Sequence, residues 1–285
     1  MLRKLLKYEW MGLRFPLMIM MIVLAGTMVL TCCVILTINP KLDQTIAWYS
    51  AMALMLSFFL YYFGIIGCTI GTTLIVVVRF YKTCYTDQGY LTHTLPATAY
   101  QILNSKLLAA VLTQLLMIIS IMLSIFIILQ VGIRHVFSFI PEYSYAELYD
   151  QLSFQLSLIA ESFAKDFGIR ISYWIAYLVI YSVIGITANI ITLFGCVSLG
   201  QLYAKHRVIG AICAYFIVQF VMFIVGYISA LPMYTKMLTG SYSRDVTIFG
   251  IMSPTMNLSL FATILLAVGM YFANVHMMTK RLNLE

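Results

Sequence analysis

The chain has 285 residues, 62% of them hydrophobic and only 9% charged, with a mean hydropathy of +0.97. A soluble domain carries roughly 25% charged residues, so this composition excludes a water-soluble globular protein and points to an integral membrane protein. The net charge of +7 does not indicate nucleic acid, because the basic residues flank apolar runs, where lipid and topology account for them.

Residues 1–15 read as a basic amphipathic helix. At 100° per residue, Arg3, Lys4, Lys7 and Arg14 share one face, and Leu2, Leu5, Leu6, Trp10 and Leu13 share the opposite one. That pattern fits a helix lying on a membrane surface with Trp10 at headgroup depth. Glu9 falls inside the apolar arc. It is either a surface carboxylate on a slightly rotated helix, or the partner of a basic residue at the cytosolic edge, with Arg79 and Lys106 the nearest candidates. Pro16 is expected to start the first span, where its missing N–H does no harm. The apolar run that follows, 17–38, is too long for a signal-peptide core and lacks a small-x-small cleavage site, so it reads as a retained span.

Asn39-Pro40 ends that span, and a short loop leads to the second apolar run, 48–78, in which Gly67 and Gly71 form a small-xxx-small pair suited to close helix contact. The polar, tyrosine-rich segment 79–106, RFYKTCYTDQGYLTHTLPATAYQILNSK, separates it from the third run, 107–133. About 20 apolar residues cross a ~30 Å hydrocarbon core, so the segment between two such runs is expected in water. Thr86 and Asp87 are candidate N-caps of a short helix, which Pro96 cannot continue. Thr98 and Gln101 then have the spacing of a capping box. Cys84 is the one cysteine expected in an aqueous loop.

In the polar stretch 134–170, Leu148, Leu152, Leu156, Ile159, Phe163 and Phe167 recur every three or four residues, which predicts an amphipathic helix on the outer membrane surface or capping the spans. Spans four (171–201) and five (208–232) are joined by the basic turn 203–207. An outer loop, 233–253, precedes span six, about 254–275. The expected fold is therefore all-α: one transmembrane domain over 1–285 with six transmembrane helices, a surface helix at 1–15 and an amphipathic outer helix within 134–170.

The N-terminus, the 79–106 segment, the 203–207 turn and the tail hold 11 of the 17 Lys and Arg residues, against only Glu9, Asp87 and Glu285. The positive-inside rule places these parts, and so both termini, in the cytosol. No ionisable residue occupies the centre of any apolar run, although ion-coupled carriers usually need one. The polar groups there are Gln114, Asn189, Gln219 and scattered Ser and Thr. They serve either interhelical hydrogen bonding or a substrate path. His93, His135, His206 and His276 stand singly, and the six cysteines show no metal or redox spacing, so neither metal nor cofactor is expected. There is no G-x-x-x-x-G-K-[ST] phosphate loop. The chain is not expected to be an enzyme, and any ATP must be hydrolysed by another subunit.

The run YTDQGYLTHTLP, with Lys106 ten residues further on opening a span, resembles the cytosolic loop of type-2 ATP-binding-cassette (ABC) exporter permeases, in which an acidic residue, a Gly, Leu/Thr positions and a Pro precede the third span. The opening MLRKLLKYEW is similar to the start of many such permeases from Gram-positive bacteria. The resemblance implies a multi-pass subunit of the bacterial plasma membrane that exports an unidentified substrate, with peptide, antimicrobial and lipid all open. It also implies two partners besides membrane lipid: a cytosolic ATP-binding subunit, and a second permease copy or paralogue. The ATP-binding subunit would dock on Tyr85, Thr86, Asp87, Gln88, Gly89, Tyr90, Leu91, Thr92, His93, Thr94, Leu95 and Pro96. The rival reading is a non-transporting protein for sensing, assembly or immunity that binds a ligand through its outer segment.

Overall fold

The computed structural model describes residues 2–38, 44–86, 88–89, 97–139, 145–203, 206–238 and 247–280. Among these residues every regular element is helical: α1 (Leu2–Thr37), α2 (Gln44–Tyr85), α3 (Ala99–Phe137), α4 (Tyr145–Phe167), α5 (Ile171–Gly200), α6 (Arg207–Leu238) and α7 (Ile248–Lys280). All but α4 are long and apolar enough to cross a membrane. Large apolar side chains such as Ile22, Phe63 and Phe126 stand exposed on these helices, a surface that is stable in hydrocarbon and a liability in water. The chain is a multi-pass, all-α membrane protein.

The helices run past the limits of the apolar runs. From Leu2 on, the expected surface helix of residues 1–15 is not separate but the first four turns of α1, whose 36 residues continue through Pro16. Proline removes one backbone bond and costs about 3 kcal/mol in a helix interior. Ending the helix there would leave several backbone groups unpaired, which hydrocarbon penalises more heavily. In the same way α2 carries on through Arg79 to Tyr85, and α3 starts at Ala99, eight residues before its apolar run.

The chain divides into two compact units, Met1–Lys82 with Asn104–Tyr145, and Thr83–Leu103 with Ala146–Glu285. In the first, Leu17 and Leu24 of α1, Tyr61 and Cys68 of α2, and Met117, Ile121 and Ile128 of α3 form one buried core. The glycines that admit α1 to α2 are Gly64, against Thr27, and Gly71, against Met20, while Gly67 faces open space. The expected Gly67/Gly71 pair is thus corrected to Gly64/Gly71. Seven residues bring a helix back almost to the same direction, and Gly67 between them is exposed, with no other atom near its β-position.

In the second unit α5 packs on α6 and α7, and α6 on α7. The α4 stripe does not cap these helices along its length, since Leu156 and Ile159 are exposed. Its end is packed: Phe163 stacks on Phe167 and Phe167 meets Trp174 of α5. Gly168 ends α4 at φ +76°, a left-handed conformation that a side chain disfavours. The turn from α5 to α6 is closed by Gly200, where a β-carbon would collide with the Ala211 backbone. Gly200→Val is expected to cost about 1–3 kcal/mol, the usual penalty for overpacking, and to lower the thermal midpoint of the detergent-solubilised protein. Gly185→Ala, at a position with open space around it, should leave that midpoint unchanged or raise it.

Candidate functional site

Glu9 sits two turns into α1, and its carboxylate divides between two helices. Oε1 accepts a hydrogen bond from Lys106 Nζ of α3 at 2.5 Å, and Oε2 accepts one from Arg79 Nε of α2 at 3.2 Å. The Lys106 side chain is 4% exposed, Glu9 17% and Arg79 30%. Charges this far out of water are tolerable only when paired. Gly12, one turn beyond Glu9, leaves room for the Arg79 guanidinium, which occupies the place of any side chain at that position. The three residues that the sequence offered as a possible ion pair are thus brought together by the first three helices of one unit.

In the second unit a buried polar chain starts at the last residue of α2. The Tyr85 hydroxyl lies 2.7 Å from Ser198 Oγ of α5, and Ser198 meets the side-chain amide of Asn274 on α7. The Asn274 NH2 donates to the Ser198 hydroxyl and to the Phe194 carbonyl (3.1 Å), and its oxygen accepts from the Gly195 N–H (2.9 Å). The amide comes this close to the α5 backbone because Gly195 has no side chain, and Met270 fills the space beside it. Tyr85, Ser198 and Asn274 are 5%, 0% and 1% exposed.

No family model, curated protein or solved structure matches this chain.

Of the expected docking residues, Asp87, Tyr90, Leu91, Thr92, His93, Thr94, Leu95 and Pro96 lie outside the described residues. Gln88 and Gly89 are helical, Gln88 is exposed, and the Gly89 N–H donates to the Thr86 carbonyl at 2.6 Å. Tyr85 is different. Its side chain is buried inside the chain and presents no surface to a partner. Cys84 is likewise not in an aqueous loop: it lies in the last turn of α2 and is fully buried. The expected cap at Thr98 is half formed, its hydroxyl accepting the Gln101 N–H at 3.4 Å.

The three in-span amides separate. Gln114 is buried and donates to Thr73 Oγ1 at 2.7 Å, which ties α3 to α2. Asn189 and Gln219 are exposed, and Gln219 lies with Phe216, Phe220 and Phe223 in an open groove on α6. Among the described residues no three of His, Cys, Asp or Glu come together as metal ligands. The sequence reading missed Ser198 and Asn274, and also the buried pair of Tyr61 and Ser124, 2.6 Å apart. The signal that could have found Asn274 is an amide inside the apolar run of α7, one residue before the expected end of span six.

Proposed function

We propose that the chain is the permease subunit of an ABC exporter in a bacterial plasma membrane, with both termini and the 79–106 segment cytosolic. A separate subunit hydrolyses ATP and docks on that segment, and the substrate crosses through a pair of such chains. The observation that supports this reading best is the Glu9 clamp. One carboxylate holds Arg79 and Lys106, the two residues that bound the segment carrying the family-like run, so the helices on either side of it are braced there. A plain connector needs no such brace. Closure of the ATP-binding subunits would then favour one access state of the spans over the other. Pairing is supported by the Gln219 groove, because an amide facing hydrocarbon is costly until another polar group meets it.

The test is purification of the full chain from its native membranes in mild detergent. A stoichiometric ATP-binding subunit, retained through a second chromatographic step and hydrolysing ATP, is the expected result. The chain alone, repeatedly, would favour the rival reading of a sensing, assembly or immunity protein. For that reading the exposed Phe154, Leu156 and Ile159 of α4 are the available contact surface.

A further inference from the structure

Residues Thr83–Leu103 join the compact unit of α4–α7, although α2 and α3, from which they extend, belong mainly to the other unit. One side-chain contact within this unit is the chain Tyr85–Ser198–Asn274. Each member is almost fully buried, and each satisfies the next. In an interior of low dielectric, breaking one such link strands two polar groups, so the contact closes or opens as a unit. The neighbouring thiol, Cys84, is 0% exposed and lies in the same turn as Tyr85.

We propose that Tyr85, Ser198 and Asn274 form a latch. While it is closed, the last turn of α2 and helices α5 and α7 move together, and a displacement of that turn reaches α5 through the Ser198 hydroxyl and α7 through the Asn274 amide. While it is open, the last turn of α2 is released and Cys84 becomes reachable from water. The role of the latch in coupling rests on the segment being the docking element, whereas its existence does not.

The test uses the full chain in detergent and a maleimide-linked polyethylene glycol. One background keeps Cys84 as its only cysteine, and a second keeps only Cys68, which is equally buried (1% exposed) in the other unit. A buried thiol reacts through local opening, so its labelling rate follows the opening equilibrium. Tyr85→Phe removes one hydroxyl and keeps the ring. It should raise the Cys84 rate about tenfold, the factor that ~1.4 kcal/mol confers, and leave the Cys68 rate unchanged. Asn274→Leu should raise the Cys84 rate at least as much. If Asn274→Leu frees both thiols the variant has unfolded, and the milder Tyr85→Phe and Ser198→Ala variants decide. Unchanged Cys84 labelling in those two overturns the latch, whatever subunit the chain captures. Faster Cys84 labelling in a chain that captures no ATP-binding subunit leaves the latch standing and overturns the docking reading alone.

Discussion

Glu9→Ala should destabilise the protein by ~3–5 kcal/mol, the loss typical of removing one partner from a buried ion pair. Lys106 is 4% exposed and bonds the carboxylate at 2.5 Å, so the substitution leaves its ammonium in place without that anion. The same logic orders the neighbouring variants. Arg79 is 30% exposed and bonds at 3.2 Å, so Arg79→Ala should cost ~1 kcal/mol or less, as for surface pairs. Lys106→Met removes the buried charge and nearly keeps its volume, so it should fall between the two. The double variant Glu9→Leu/Lys106→Met should recover much of the Glu9→Ala loss, because apolar replacements of similar size often match a buried pair and residues in contact are not additive. Thermal unfolding in detergent, with the amount of protein in the membrane as a second readout, checks the series. Equal losses for Glu9→Ala and Arg79→Ala would show that the carboxylate sits in water and braces nothing.

The second large effect concerns docking. Leu91 and Leu95 are four residues apart, the spacing that puts two side chains on one face where a chain is helical, and burial of a leucine is worth ~2 kcal/mol. Losing both from a groove on the ATP-binding subunit should weaken the complex by roughly two to three orders of magnitude. Leu91→Ser/Leu95→Ser should nevertheless leave membrane insertion and protein level nearly unchanged, since neither residue belongs to an apolar run. Asp87→Ala should act in the same direction more weakly, by ~1 kcal/mol through loss of a helix cap. The measurement is the fraction of ATP-binding subunit retained on the purified chain. Full retention by the double variant would remove this segment from the interface. Tyr85→Phe, by contrast, should retain the subunit, because its ring and hydroxyl face inward.

The spans were legible because hydrocarbon imposes one requirement, an apolar run of sufficient length, that every part of a span must meet. Glu9 was legible for a related reason: a carboxylate in an apolar arc needs a cation, and few cations stand near the same membrane edge. The ends of the helices were not legible. Hydropathy registers where lipid stops, whereas the backbone of α2 remains helical through the polar residues from Arg79 to Tyr85. Nor were the partners of small and polar side chains. Gly64 and Gly67 look alike in sequence, and only the direction of α1 separates them. Ser198 and Asn274 belong to no spacing pattern, since their meeting depends on how α5 and α7 are packed.

Tyr85 precedes Ser198 by 113 residues, and Ser198 precedes Asn274 by 76. At a synthesis rate of ~5–20 residues per second, the tyrosine emerges roughly 10–40 s before the amide that completes its hydrogen-bond chain. The Glu9 clamp, by comparison, is complete once Lys106 has been made. A ribosome building this protein therefore finishes the brace before the Tyr85–Ser198–Asn274 chain. A chain that stops before its sixth span would keep its first three helices locked together while Ser198 lacked the amide that completes the latch.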